Sequence, residues 1–138
     1  MNVSYRTATA PSYENSIRAA QNEKRARSKA EADQCRTLEA LLNLHRLDFW
    51  HCTVSQRSQP GWPDYVVFGD GWLAFFEIKA RSTNTGKMGK VSTHQERYKA
   101  SIEAAGAEWR VFKLPDEWHG VDQFLNDRTH KGIWGSWR

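Results

Sequence analysis

Apolar residues recur along the chain at two spacings, one typical of helices and the other typical of strands. Over residues 30–45 the apolar positions are three and four residues apart, which predicts a helix with one face against a core. The members of that face are Glu31, Cys35, Leu38, Leu41, Leu42 and His45. Glu31 lies one turn before the leucines, so we expect its carboxylate to approach the sheet rather than the solvent.

Short apolar runs bounded by turn residues predict four strands. The first covers residues 49–54 and is followed by a polar loop through Gln59. Asp64 then leads into residues 65–79, in which two apolar runs flank a Gly-Asp-Gly turn. This arrangement is typical of a β-hairpin. The fourth strand is expected over residues 108–113.

Helical patterns and helix breakers complete the order of elements. A helix is predicted over residues 92–105, where Gly106 is a natural C-terminal stop, and another over residues 118–126. The resulting order, αβββαβα, contains no internal repeat. It predicts an α/β fold in which helices flank both faces of a small mixed β-sheet.

The length of the chain favours a single domain. At 138 residues it is long enough for one domain with a sizeable core and too short for two comfortable ones. We expect that domain over residues 30–127. Residues 1–29 are predicted to form a basic N-terminal arm, disordered over residues 1–12. Residues 128–138 form a Trp-rich C-terminal tail to which the pattern assigns no element.

Composition argues against several classes of protein. No apolar run is long enough to span a bilayer, and the N-terminus lacks the apolar stretch of a secretory signal. Two cysteines, Cys35 and Cys52, are too few for a disulfide framework. His51 stands beside Cys52, but no fourth ligand for zinc is near in the sequence. We therefore expect a cytoplasmic protein without a membrane partner.

Positive charge is concentrated in two segments. Residues 1–30 carry six basic and two acidic side chains, which accounts for the whole net charge of +4, because residues 31–138 carry fourteen of each. Within that neutral part, residues 79–99 carry six basic side chains and one acidic side chain. Two basic segments indicate a polyanionic partner. A basic run also serves solubility, so charge alone does not decide between the two.

Two carboxylates and an ammonium group gather at one end of the predicted hairpin. Residues two apart in a strand share a face, so Glu77 and Lys79 point the same way and Ile78 points the opposite way. Charges beside apolar strand positions are costly unless they are paired or bind a metal. Mg²⁺ takes oxygen ligands from one or two carboxylates and from substrate phosphate, so these residues with Asp64 indicate metal-assisted phosphodiester hydrolysis. The alternative is turn chemistry at Asp64 and an ordinary ion pair between Glu77 and Lys79.

Gln95 stands at a position that fits two roles. In Ser92-Thr93-His94-Gln95 it occupies the place from which a capping box bonds back to Ser92. Thr93 with Glu96 offers the same motif one residue later, which would leave Gln95 free for a site. The residues alone leave both roles open.

Four motifs occur in a fixed order on these elements. They are Glu31 in the first helix, Gly61-Trp62-Pro63-Asp64 before the hairpin, Glu77-Ile78-Lys79 at its end, and Ser92-Thr93-His94-Gln95 at the start of the second helix. In this order they resemble the core of the PD-(D/E)XK nuclease superfamily, and most closely its VRR-NUC branch. The resemblance covers roughly residues 28–114. It implies a restriction-endonuclease-like core and magnesium-dependent cleavage of DNA.

The resemblance also implies a role for each motif residue. The metal ligands would be Asp64, Glu77, the backbone carbonyl of Ile78 and, as an outer or second-metal ligand, Glu31. The metal would be Mg²⁺, with Mn²⁺ able to replace it. Lys79 would position or activate the attacking water, and Gln95 would orient the water or the phosphate.

The expected partner is DNA, held through its phosphates. The candidate contacts are Arg81, Lys87 and Lys90 in the loop after the hairpin and Arg25, Arg27 and Lys29 in the arm. No recognition helix or zinc finger is visible, so we expect a structure-selective enzyme that acts on branched or four-way DNA, similar to a Holliday junction resolvase. Such an enzyme would act as a homodimer in a bacterial or phage-infected cell. The alternative is a non-catalytic DNA-binding or scaffold protein that retains the fold, although clustered acids facing a polyanion argue against it.

Overall fold

Seven helices and strands follow one another in the computed structural model, which describes the backbone of residues 3–52 and 60–136 and the side chains of residues 13–52 and 60–129. They are α1 (Val3–Leu44), β1 (Asp48–His51), β2 (Tyr65–Phe68), β3 (Leu73–Ala80), α2 (Thr93–Ala104), β4 (Glu108–Leu114) and α3 (Trp118–Ser136). Helices and strands combine into one mixed fold, which confirms the predicted α/β class.

The four strands form one sheet in the order β1-β2-β3-β4. β1, β2 and β3 are antiparallel neighbours, whereas β4 runs parallel to β3. A parallel neighbour requires a crossover connection, and α2 lies in that connection between β3 and β4. Among the described residues, β1 and β4 are therefore the two edges of a small mixed sheet.

The turn between β2 and β3 depends on its glycines. The N–H of Gly69 donates to the carbonyl of Trp72 at 3.0 Å, next to the paired residues Phe68 and Leu73. Gly71 has a φ of 81°, in the left-handed region that disfavours side chains. A Cβ on Gly69 would lie 1.8 Å from the indole of Trp72, so that position accepts no side chain. The hairpin predicted from the Gly-Asp-Gly turn is confirmed.

The hydrophobic core lies between one face of the sheet and the helices α1 and α3. Its buried members are Tyr65, Val67, Ala74, Phe76, Ile78, Phe112 and Leu114 from the strands, and Cys35, Leu38, Leu42, Val121, Phe124 and Leu125 from the helices. Three of these, Phe76, Phe112 and Phe124, meet edge to face with ring centroids 5.0, 5.3 and 6.2 Å apart. The stripe predicted for the first helix therefore does face the core.

Helix α2 covers part of the opposite face of the sheet. It buries Ile102 near β4, whose Trp109 is also buried. Ser92 is its N-cap, and Gly106, with a φ of 87°, follows its C-cap residue. These ends agree with the predicted helix over residues 92–105.

Helix α1 is longer than the sequence pattern indicates. It begins at Val3 and continues without a break through residue 29, where the boundary between arm and domain was expected. Residues 3–12, for which disorder is predicted, belong to the same helix. Extending an existing helix adds one hydrogen bond per residue without a new nucleus, so few apolar positions are needed.

Helix α3 also continues beyond its predicted end, residue 126, into the segment described above as a tail. The hydroxyl of Thr129 lies 3.0 Å from Nδ1 of His45, in the turn that follows α1. Nε of Arg128 donates to a carboxylate oxygen of Glu108 on β4 at 3.0 Å. Both contacts join residues distant in the sequence, so the local pattern does not reveal them.

Part of the predicted first loop lies outside the described residues. The continuation of β1 to residue 54 and most of the polar loop through Gln59 belong to residues 53–59. Among the residues that the structure describes, no helix has both the length and the apolar composition of a membrane span.

The core and the surface of α1 should respond differently to truncation. Leu42 is completely buried, whereas Leu44 on the same helix is 77% exposed. We expect Leu42→Ala to lower the free energy of unfolding by about 2–5 kcal/mol, because it leaves a cavity. Leu44→Ala should change that free energy by about 0.5 kcal/mol or less. Urea unfolding measures both, and equal losses in the two variants would contradict this packing.

Candidate active site

Asp64 connects the beginning of β2 to the end of β3. Its Oδ2 accepts a hydrogen bond of 2.8 Å from the backbone N–H of Ile78. The carbonyl of Asp64 accepts a second hydrogen bond, of 2.9 Å, from the N–H of Cys52 just after β1. Three strands therefore position this carboxylate, although it stands one residue before β2.

Glu77 is the most deeply buried acidic side chain of the site, with 3% of its surface exposed. Its Oε1 accepts a hydrogen bond of 2.7 Å from Nε2 of Gln95 and lies 3.3 Å from Nζ of Lys79. No N–H or O–H group donates to its buried Oε2. The carboxyls of Glu77 and Asp64 are close enough to form a hydrogen bond when one of them is protonated. One oxygen of Glu77 is thus fixed in place, and a cation would replace the proton that the two carboxyls share.

Gln95 forms the capping box of α2 and also contacts the predicted site residue Glu77. Its side-chain oxygen Oε1 accepts a hydrogen bond of 2.8 Å from the backbone N–H of Ser92. The backbone N–H of Gln95 donates to the hydroxyl of Ser92 at 3.2 Å, which completes the capping box. Its amide nitrogen donates to Glu77. A carboxamide has a donor end and an acceptor end, so capping α2 and holding Glu77 do not compete.

Glu31 reaches the same region from α1. It lines a cavity of about 220 Å³, and the other lining residues are Ser28, Ala32, Cys35, His51, Cys52, Asp64 and Ile78. The half-buried carboxyl is close enough for the charges of Asp64 and Lys79 to affect its pKa. The structure therefore brings together five predicted site residues, here called the carboxylate site: Glu31, Asp64, Glu77, Lys79 and Gln95.

Negative charge exceeds positive charge in the carboxylate site. Burial raises the pKa of Glu77 to about 8, the charge of Asp64 adds to the rise, and Lys79 opposes it. Burial also raises the pKa of Asp64, while the N–H of Ile78 opposes that rise. For Glu31, burial and then the charge of Asp64 raise the pKa. One lysine does not balance three carboxyls, so a bound cation would lower the energy of the ionised site.

The donors present fit a magnesium ion. Oε2 of Glu77 is a buried oxygen to which no N–H or O–H group donates, and Asp64 and Ile78 lie at the same end of the hairpin. Mg²⁺ retains several waters and uses one or two carboxylates, so it does not require a protein cage. Among the described residues, no group of three or more His, Cys, Asp or Glu side chains is placed to hold a metal ion together, so a bound ion would rely on two carboxylates, a carbonyl and water. Asp64, Glu77 and the carbonyl of Ile78 are therefore candidate ligands, with Glu31 as an outer one.

Three of the predicted DNA contacts line a second cavity, here called the basic cavity. It measures about 480 Å³ and is lined by Arg27, Lys87, Met88, Gly89 and Lys90. A Cβ on Gly89 would lie 3.3 Å from Cδ of Lys79, so the backbone there passes directly beside the site lysine. Nε of Arg27 is buried without a hydrogen-bond partner, although Glu23 accepts a hydrogen bond of 3.3 Å from Nη2. The basic cavity thus adjoins the carboxylate site.

The other three predicted contacts lie outside the basic cavity. Arg81 donates to Asp116 from Nε at 3.3 Å and to the carbonyl of Gly86 at 3.0 Å, so its guanidinium helps to hold the loop. Arg25 and Lys29 are exposed on α1, one turn apart. Their contact with DNA stays a prediction.

His51 is a lining residue that the sequence pattern did not assign to the site. Its ring stacks on that of Tyr65 with centroids 4.2 Å apart, and its Nδ1 lies 3.4 Å from Oε2 of Glu39. The hydroxyl of Tyr65 donates to the same oxygen at 2.9 Å. The pairing of β1 with β2 places His51 opposite Tyr65 and so brings it to the cavity. The sequence pattern did not reveal this position, because the spacing of residues within one strand does not show which residues they pair with on another.

No model of a known protein family, no curated protein and no solved structure matches the chain. The roles of the site residues are therefore inferred from their contacts, burial and charge.

The raised pKa of Glu77 makes the stability of the metal-free protein depend on pH. The ordinary value is 4.5 and the folded value about 8, so between them the folded protein keeps a proton that the unfolded chain has released. The contribution of this proton to the free energy of unfolding is therefore fully present below about pH 4.5 and is lost as the pH rises towards about 8. We expect Mg²⁺ to raise the Tm more near pH 8 than near pH 5.

Glu77→Gln should remove the contribution of Glu77 to that pH dependence and most of the additional effect of Mg²⁺ near pH 8, because the amide does not ionise. The raised pKa values of Asp64 and Glu31 leave a smaller dependence on pH. Glu103→Gln, on the exposed surface of α2, is the matched control and should behave as the unaltered chain does. Thermal unfolding in EDTA or Mg²⁺ at the two pH values provides the comparison. An unaltered chain with the same pH profile as Glu77→Gln would refute the raised pKa.

Proposed function

We propose that this chain is a metal-dependent endonuclease of the PD-(D/E)XK type, closest to the VRR-NUC branch, that hydrolyses phosphodiester bonds in DNA. The observation that carries the proposal is the pair of buried carboxyls of Glu77 and Asp64 beside Lys79, in which no N–H or O–H group donates to Oε2 of Glu77. A binding module gains nothing from carboxylates that face a polyanion. A hydrolase needs them, because they hold the cation that neutralises the phosphate.

Each side chain of the carboxylate site has a defined task in this reaction. Asp64 and Glu77 would hold Mg²⁺ with the carbonyl of Ile78, and Mn²⁺ would fit the same oxygen donors. When bound, the metal polarises the phosphoryl oxygen and acidifies a water molecule. Lys79 carries a positive charge 3.3 Å from Oε1 of Glu77, where it would stabilise the negative charge of the transition state and orient the attacking water.

Gln95 and Glu31 support those three residues. The 2.7 Å hydrogen bond from Gln95 holds one oxygen of Glu77, so the other oxygen stays directed towards the ligand. Because Gln95 also caps α2, its side chain has little freedom to turn away. Glu31 lines the cavity beside Asp64, where it would bind a metal-bound water or a second ion.

The basic cavity would hold the DNA backbone next to the scissile bond. Arg27, Lys87 and Lys90 line it, and Lys79 adjoins it through Gly89. Contacts to phosphate position a nucleic acid without reading its sequence, so selectivity would come from the shape of the DNA. We therefore propose that the enzyme acts on branched or four-way DNA, and a location in the cytoplasm is part of the same proposal.

Two cuts at one branch point require two copies of the site. A chain with a single carboxylate site cleaves one strand, and a twofold homodimer supplies the second site with one self-complementary patch. Tyr13 and Ile17, exposed one turn apart on α1, are candidate patch residues. Trp134 and Trp137, which the sequence also indicates, lie outside the residues whose side chains are described.

Substitutions in the carboxylate site should abolish cleavage without unfolding the protein. Asp64→Asn and Glu77→Gln remove a metal ligand and relieve charge crowding, so we expect no cleavage and an unchanged or higher Tm in EDTA. Lys79→Met should lower the rate by about 10²-fold or more. Lys113→Met is the matched control for Lys79, because Lys113 is exposed and lies in register with it on β4.

The assay uses end-labelled linear, nicked, flapped and four-way DNA with Mg²⁺, Mn²⁺ or Ca²⁺. Normal turnover by Asp64→Asn in Mg²⁺ would disprove the assignment. DNA binding without cleavage by the unaltered chain under all conditions would favour the non-catalytic scaffold instead.

The basic cavity should contribute to binding through charge alone. Lys87→Ala and Lys90→Ala are each expected to weaken binding about equally for all DNA sequences. Each should also reduce the slope of log affinity against log salt by about one, because one phosphate contact is lost. Arg36→Ala, exposed on α1 outside the cavity and outside both basic segments, is the control. Titrations at several salt concentrations measure the slopes, and slopes equal to that of the control would exclude the cavity as a phosphate site.

A further inference from the structure

Among the described residues, no helix covers the β1 side of the sheet face opposite the core, and this part of the face is rich in aromatic rings. The register places Trp50, Val66, Phe75 and Trp109 in one row across the four strands. Trp109, on the β4 side, is buried. Trp50, at the β1 edge, is 66% exposed. We call the uncovered part the aromatic face, formed by Trp50, Trp62, Val66 and Phe75.

Trp62 is held firmly on this face although 38% of it is exposed. Its ring meets Phe75 with centroids 5.8 Å apart and Tyr98 with centroids 5.4 Å apart, nearly perpendicular to both. The preceding residue, Gly61, has a φ of 89°, and a Cβ there would lie 2.4 Å from the backbone of His94. The loop is therefore packed against the start of α2, so the indole is positioned before any ligand binds.

The rings of Trp62, Phe75 and Tyr98 belong to segments that also carry the carboxylate site. Trp62 precedes Asp64 by two residues, Phe75 precedes Glu77 by two residues on the same face of β3, and Tyr98 follows Gln95 by three residues on α2. Two residues along a strand span about 7 Å. The exposed indole therefore lies next to the position proposed for the scissile phosphate.

The chemistry of this surface favours nucleobases as its occupant. Residues 79–99, which border it, carry six basic side chains and one acidic side chain, so a polyanion is attracted to this side. On the same sheet face, the ammonium of Lys99 lies 5.2 Å from the ring centroid of Trp109. Exposed indoles stack on any base whose face is free. In a duplex those faces are covered by neighbouring pairs, so only unpaired bases are able to stack on the protein.

We propose that Trp62, with Trp50 further along the aromatic face, stacks unpaired bases of the substrate beside the scissile phosphate. The preferred substrate then contains a single-stranded or splayed segment at the cleavage position, as in a fork or an opened branch point. This inference rests on the proposed nuclease function for the position of the scissile phosphate. It goes further by naming the substrate feature and the residues that select it.

The test measures binding with Ca²⁺ in place of Mg²⁺, so that no cleavage is required for a signal. The DNA probes are a fluorescent fork, the same fork with abasic units in place of its unpaired bases, and a full duplex. We expect the unaltered chain to bind the normal fork about 5- to 100-fold more tightly than the abasic fork, which has the same phosphates.

Trp62→Ala should lose most of that difference by weakening the normal fork alone, and Trp50→Ala should lose a smaller part. Trp62→Phe should retain most of it, because phenylalanine also stacks. Leu44→Ala, an exposed apolar residue on α1, is the control and should bind as the unaltered chain does. The comparison of the two forks needs only the unaltered protein, so it holds even where a variant folds poorly.

Equal affinity of the unaltered chain for the normal and the abasic fork would overturn the proposal. So would a Trp62→Ala variant that weakens both forks equally, or a Trp50→Ala variant that converts a dimer into a monomer without changing binding. A preference for the fork that depends on Trp62, without any cleavage in Mg²⁺, would support the stacking proposal and contradict the proposed nuclease function. Cleavage of the fork in Mg²⁺ at the same rate by the unaltered chain and Trp62→Ala, measured below saturation, would do the reverse.

Discussion

The hydrogen bond of 2.8 Å from the N–H of Ile78 to Asp64 links the two strands on which the candidate chemistry depends. It joins the start of β2 to the end of β3, so the position of one carboxylate is set by the strand that carries Glu77 and Lys79. Because Ile78 is itself buried in the core, this geometry is anchored to the packing of the sheet against α1. The short hairpin, with its Gly69 and Gly71 turn, makes the approach possible.

The carboxylate site is kept in a state that costs free energy in the absence of a cation. Burial raises the pKa of Glu31, Asp64 and Glu77, and Lys79 compensates for only part of the charge. A fold selected for stability alone would place these acids in solvent, where ionisation is free of that cost. The buried Oε2 of Glu77, to which no N–H or O–H group donates, belongs to the same arrangement and fits the metal-ligand role proposed for it.

Two different surfaces adjoin this site, and together they define what kind of substrate fits. The basic cavity presents Arg27, Lys87 and Lys90 to a phosphate backbone. The aromatic face presents rings to bases, with Trp62 held by its neighbours Phe75 and Tyr98. The proposed substrate, a polymer that is both anionic and aromatic, would satisfy both surfaces at once, and this would allow a small domain to place one bond at the carboxylate site.

Much of this arrangement follows from the sequence alone, because it depends on neighbours along the chain. The hairpin, the shared face of Glu77 and Lys79, the leucine stripe of α1 and the ends of α2 all follow from periodicity and turn residues. The tertiary structure alone decided that Gln95 both caps α2 and binds Glu77, that Asp116 holds Arg81, and that His51 joins the cavity. It also decided which tryptophans are covered, since Trp109 lies under α2 and Trp50 does not. These features require a strand register or a helix crossing that joins distant residues, and local spacing carries no record of either.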